Sequence, residues 1–141
     1  MQLTRAADYA VRVIIHLAAL PDGARASRSE LAVAAECPEQ FLSKVLQNLT
    51  RAGIIVSRRG NTGGFELPMD NRNTTVLDVV EAIEGPVRLN SCLISESSCV
   101  RQAWCPTHAI WQDAQKAMCE VLRQATIGNL ATTAVSTRAV V

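Results

Sequence analysis

The sequence predicts a mainly α-helical fold with a small β-hairpin wing: a winged helix-turn-helix followed by a long C-terminal dimerisation helix. Three observations predict it. Two helical stretches meet at the break Cys37-Pro38, a β-branched run turns back through a glycine-rich tip, and a long helix with one apolar face follows a cysteine-bearing loop.

Each element has a local cause. Thr4 can cap a first helix running to about Leu20, with Leu3, Ala7, Ala10, Val11, Ile14, Ile15 and Ala18 on one side, and Pro21-Asp22-Gly23 stops it. Ser27 and Glu30 make a capping box for a short second helix through Ala35. The third helix runs from about Glu39 to Ala52 and ends at Gly53, with Phe41, Leu42, Val45, Leu46 and Leu49 as its buried stripe. Ile54-Ile55-Val56-Ser57 and Phe65-Glu66-Leu67 form the two arms of a hairpin. Thr75 and Asp78 open a fourth helix that stops at Gly85-Pro86. The stretch from Val87 to Trp104 has no sustained period and reads as a loop. From Pro106 a helix continues to about Ile127, presenting Ile110, Ala114, Ala117, Met118, Val121, Leu122 and Ala125 on one face. Its length of ~33 Å exceeds what so small a domain needs, and antiparallel pairing with a second copy would cover it. The expected division is a DNA-binding domain at 1–86, a cysteine-rich loop at 87–105, a dimerisation helix at 106–130 and a flexible tail at 131–141.

Composition narrows the function. The 141 residues carry a net charge of +1, yet between Phe41 and Phe65 lie Lys44, Arg51, Arg58 and Arg59 and no acidic residue. A positive stripe is therefore hidden inside a neutral total. No run approaches the roughly 18 apolar residues of a membrane span. The apolar run Val13 to Leu20 that could pass for an export signal is short, is broken by His16 and has Asp8 upstream, so the expected location is cytoplasmic, and five cysteines fit reduced thiols better than a disulfide framework.

The third helix leaves Gln40, Ser43, Lys44, Gln47 and Arg51 on its outer face, the residue types that read base edges and phosphates. Arg58 and Arg59 stand at the root of the tip Gly60-Asn61-Thr62-Gly63-Gly64, which suits a wing lying along a minor groove. Thr4 and Arg5, opening the first helix, complete the expected DNA-contacting set. The glycine-rich turn lacks the Gly-Lys-Ser/Thr ending of a nucleotide-binding loop. No Ser/His or Glu/His catalytic pairing is evident, so an enzyme is not expected.

Cys92, Cys99 and Cys105 follow the spacing Cys-x6-Cys-x5-Cys, which is not the close-paired pattern of zinc sites. Three soft thiolates from one loop suit an iron–sulfur cluster, 2Fe-2S or 4Fe-4S. The fourth ligand is open between His108, three residues beyond Cys105, and Asp8 in the first helix, which could reach across a dimer. The alternative is a metal-free thiol switch or control by a partner. Cys37 and Cys119 read as structural, and Trp104 and Trp111 as packing residues.

The opening Met-Gln-Leu-Thr-Arg-Ala-Ala-Asp-Tyr-Ala, the wing Arg-Arg-Gly-Asn-Thr-Gly-Gly-Phe at 58–65 and the segment Cys105-Pro-Thr-His108-Ala-Ile-Trp resemble the winged-helix regulator family that contains the iron–sulfur regulator IscR and the nitric-oxide sensor NsrR. The resemblance runs from Met1 to about Leu130. It implies cluster ligation by Cys92, Cys99 and Cys105, with His108 in the IscR manner or Asp8 in the NsrR manner. It also implies a homodimer on promoter DNA, with repression as the expected mode and redox state, nitric oxide or iron–sulfur status as the signal.

Overall fold

The computed structural model describes residues 2–139, which form six α-helices and one two-stranded antiparallel hairpin. Helix α1 (Arg5–Ala19) is capped by the Thr4 hydroxyl, which accepts from the Ala7 amide at 3.3 Å, and its Ala7, Ala10, Val13, Ile14, Leu17 and Ala18 face inward. This face makes α1 the central post, packed by α2 (Arg28–Ala35), α3 (Glu39–Arg51), α4 (Val76–Glu84) and α6 (Ile127–Ala139). The Ser27–Glu30 capping box closes both ways, at 2.7 and 3.2 Å. No polar or charged residue is buried among the described residues, so the core is held by apolar contact alone.

The turn between α2 and α3 is made by Glu36 in the left-handed conformation (φ 54°), while the Cys37 amide donates back to the Ala32 carbonyl at 2.9 Å. That reversal sets α3 across α2. Leu42, Val45, Leu46 and Leu49 are buried as the periodicity requires, and truncating any of the three leucines to alanine would cost about 2–5 kcal/mol. Phe41 corrects the expected stripe: it is 47% exposed and meets Tyr9 edge-on at 5.7 Å between ring centres. Its position lies at the edge of the apolar face, where a large ring covers a neighbour instead of entering the core. At the other end, Gly53 (φ 73°) lets its own amide reach Thr50 and the Ile54 amide reach Leu49, a Schellman ending.

The wing strands are β1 (Val56–Arg58) and β2 (Gly64–Glu66), registered Val56 to Glu66, Ser57 to Phe65 and Arg58 to Gly64. Ile54 and Ile55, expected as strand, are core residues just before it. The loop ahead of α2 joins the hairpin, because Ala26 and Phe65 exchange two backbone hydrogen bonds of 3.0 and 2.8 Å. This close approach needs a glycine: Gly64 has φ 140°, and a Cβ there would stand 2.7 Å from the Ala26 carbonyl oxygen. Gly64→Ala is therefore expected to lower stability by about 2 kcal/mol or more, read as a lower denaturant midpoint with unchanged slope.

A 3-10 turn (Met69–Asn73) follows, from which Asn71 donates to the Gly53 and Ile54 carbonyls, both at 2.8 Å. The Thr75–Asp78 box opens α4, and Gly85 ends it. The connection to α5 (His108–Gln124) contains a short 3-10 turn at Ser91–Leu93, and no residue from 88 to 107 is buried. The predicted long helix is two. It starts at His108, not Pro106, and breaks at Ala125, where Thr75 and Thr126 form a backbone bridge: the Val76 amide donates to Ala125 and the Ile127 amide to Thr74, both at 2.9 Å. Residues 131–139, expected as a loose tail, continue α6, which returns along α1 and buries Ile127 and Ala131; residues 140–141 lie outside the described residues. Helix α5 itself rests on α4 through Met118, Cys119 and Leu122, which pack against Leu77, Val80 and Val87.

Candidate DNA interface and cysteine loop

The outer face of α3 and the inner face of the wing enclose a groove of about 600 Å³ lined by Ser43, Gln47, Arg51 and Arg59, together with Arg28, Thr50, Ser57 and Phe65. Strand alternation explains the selection. Successive side chains point to opposite faces, so Ser57, Arg59 and Phe65 turn toward α3 while Arg58 and Glu66 turn away. Gln40 and Lys44 are exposed further along α3, and Gly60 and Asn61 at the tip. Gly63 and Gly64 are half-buried, and a Cβ at Gly63 would meet the Arg58 carbonyl oxygen at 2.5 Å, so these two glycines are required by the hairpin itself.

Sequence reasoning missed Arg28. It opens α2 directly after the capping Ser27 and holds Glu39 at 2.8 Å and Ser43 at 3.4 Å, which ties the start of α2 to the start of α3. The available signal was a basic residue in the first turn of a helix-turn-helix, where the helix start faces the duplex. Arg5 is exposed at the opening of α1, while Thr4 is engaged: its amide donates to Glu84 at 2.7 Å and its hydroxyl caps α1.

In the connecting loop Cys92, Cys99 and Cys105 are free, half-buried thiols. Within the single chain they do not converge, and among the described residues no group of three His, Cys, Asp or Glu side chains is placed to hold a metal ion. Two features nevertheless suit metal ligation. Cys105 Sγ lies 3.2 Å from the Thr107 hydroxyl, and this contact, the Thr107 and His108 amides and the Arg101 charge hold its thiol below the usual cysteine range. His108 shares a cavity of about 270 Å³ with Cys92 and Gln102, and its Nδ1 is a buried atom without a hydrogen-bond partner.

Asp8 is placed differently. It is paired with Arg12 at 2.9 Å, and Arg12 also reaches Glu36 at 3.4 Å and the Ala35 carbonyl at 3.3 Å. Cys37 is buried and its thiol is pushed up by loss of solvent, while Cys119 is packing between α4 and α5. Trp104 and Trp111, expected to pack, are exposed in the single chain, and the Arg101 guanidinium stacks 5.7 Å above the Trp104 ring.

A helix-turn-helix with a basic groove closed by a wing defines a DNA-binding transcriptional regulator. The family described as Rrf2, iron-dependent transcriptional regulator, matches residues 3–133, and the chain belongs to it. The chain is 38% identical over 132 residues to protein aau3 of Rhizobium meliloti (strain 1021), covering 92% of this chain and 84% of that one. Its fold is similar to CymR, the global cysteine regulator of B. subtilis, with a TM-score of 0.73, 26% identity and coverage of 94% and 98%. It is similar also to the IscR of T. potens, with a TM-score of 0.76, 22% identity and coverage of 95% and 88%. Among the described residues no helix is long and apolar enough to cross a membrane.

Proposed function

We propose that this regulator binds promoter DNA as a homodimer and that an iron–sulfur cluster, held by Cys92, Cys99, Cys105 and His108, controls its affinity. The observation that carries the reading is the buried, unpartnered His108 Nδ1, which shares a cavity with Cys92 at the end of one loop that also carries Cys99 and Cys105. When bound, a cluster supplies a centre that reacts with oxidants and nitric oxide. The chain's own part is to hold it. Thr107 and the first amides of α5 favour the Cys105 thiolate, and His108 offers a ring nitrogen with no competing bond. Because nothing between 88 and 107 is buried, the loop can draw its sulfurs together without opening the core. Asp8 is the alternative fourth ligand, and it would have to give up Arg12. The DNA-contacting set is the α3 face, the wing and Arg5.

The dimer reading rests on α5. Ile110 is 59% exposed and Val121 67%, with Trp111 beside them, an apolar face that antiparallel pairing with a second α5 would cover. The mode we propose is repression, in which a bound dimer occupies the promoter and a change of cluster state releases it.

A metal-free thiol switch is the second reading. The lowered Cys105 thiol favours it, as does the likeness to a cysteine regulator. Anaerobic preparation with iron and sulfide tests both. The cluster reading expects bound iron, visible absorbance and DNA affinity that changes after nitric oxide or oxygen. It also expects His108→Ala to alter the spectrum and Asp8→Ala to leave it unchanged. A colourless, iron-free protein whose DNA binding follows a thiol oxidant would replace it with the switch.

A further inference from the structure

Arg25 lies in the loop between α1 and α2, outside the helix-turn-helix, yet it grips the wing at two points. Its guanidinium donates to the Thr62 carbonyl at 3.0 Å and pairs with Glu66 at 3.3 Å. Glu66 also faces Arg58, at 3.9 Å, so two guanidinium groups share one carboxylate. The Glu66 side chain is only 19% exposed, whereas that of Arg58 is 55% exposed and open to solvent. The neighbouring backbone is fixed too, through the Ala26–Phe65 pair. This trio occupies the wing face opposite the groove, while Arg59 alone of the two hairpin arginines enters the groove.

We infer that Arg25 is a positioning residue for the wing and that Glu66 is a counter-charge restraining Arg58 from the phosphate backbone, so that this pair sets how strongly and how selectively the wing holds DNA. A carboxylate near phosphate is repulsive unless neutralised, and here part of the neutralising charge is drawn from Arg58, which would otherwise be available to phosphate. Removing the carboxylate releases Arg58 and adds a phosphate contact. Removing Arg25 adds none. It frees the tip at Thr62 and leaves Arg58 to satisfy Glu66 alone. The inference rests on reading the α3–wing groove as the DNA surface.

Fluorescence anisotropy of the full-length protein tests it, using two labelled duplexes: one selected from a random pool by the wild-type protein and one of unrelated sequence. Each titration is repeated across a salt series. Glu66→Gln is expected to tighten binding to the unrelated duplex several-fold and to steepen the slope of log affinity against log salt by about 0.9 for each phosphate gained. Arg25→Ala is expected to weaken binding to the selected duplex about three- to tenfold, with a slope no steeper than that of the wild type, and Arg25→Lys to recover only part of the loss, since an ammonium lacks the planar fork. Far-UV circular dichroism and thermal melting confirm that each variant is folded, and hydrogen exchange at 60–64 reports tip loosening in Arg25→Ala. Unchanged slope and affinity in a folded Glu66→Gln would overturn the counter-charge, and unchanged exchange and affinity in Arg25→Ala would overturn the positioning role. If Arg51→Ala and Arg59→Ala also leave binding intact, the DNA surface itself has been misplaced; if those two weaken it, only the present inference is lost.

Discussion

Replacing Arg51 and Arg59 together by alanine is expected to weaken promoter binding by about two to three orders of magnitude, taking ~1 kcal/mol for each of the four arginines in the proposed dimer. Both side chains are exposed on opposite walls of one groove, one from α3 and one from the wing, so their loss removes charge without disturbing the core. The salt dependence gives a second, independent reading. If the wild-type dimer neutralises six to eight phosphates, log affinity falls with log salt at a slope of about −5 to −7, and the double variant should flatten it by about 3 to 4. Wild-type affinity and slope in the double variant would mean that this groove does not meet DNA.

The second large effect is expected at Cys105. Cys105→Ala should abolish visible absorbance and lower bound iron at least about tenfold after anaerobic reconstitution, with the far-UV spectrum unchanged. The side chain stands in an exposed turn three residues ahead of α5, where its polar contact is to Thr107, so no helix depends on it. Cys119→Ala provides the contrast. That thiol packs between α4 and α5, and its loss should cost some stability while leaving iron content intact. Equal iron in wild type and Cys105→Ala would remove this thiol from the ligand set.

The local rules of the chain were legible wherever a neighbour in sequence supplies the partner. Thr4, Ser27 with Glu30, Thr75 with Asp78 and Gly53 mark helix ends at the positions the structure gives them, because each bond closes within a few residues. The boundary between α5 and α6 was not legible. From Gln124 to Asn129 the sequence holds no proline and only a weak local signal, Thr126, whose hydroxyl accepts from the Asn129 amide at 3.4 Å, and the break is completed by Thr74 and Val76, some fifty residues earlier. The helical character of 131–139 has the same origin, since Ile127 and Ala131 are buried only once α6 folds back onto α1. Phe41 was misread because periodicity assigns a face and not a depth. The outward positions of α3 could be read from periodicity, while the contacts of Arg28, Arg25 and Glu66 join distant segments. The wing glycines carried a double meaning that the sequence alone could not separate. Gly63 and Gly64 are explained by the backbone of Arg58 and Ala26 before any duplex is considered.

The bridge between Thr75 and Thr126 also has a mechanical consequence. It fastens the far end of α5 to the start of α4, while the near end adjoins the loop that carries the half-buried thiols. Helix α5 is thus a lever about 25 Å long with its fulcrum built into the reading head, and a tilt of about 5° there moves its free end by about 2 Å. In the proposed reading, whatever tightens or slackens at the sulfur end would be delivered as torque to the body that carries α3.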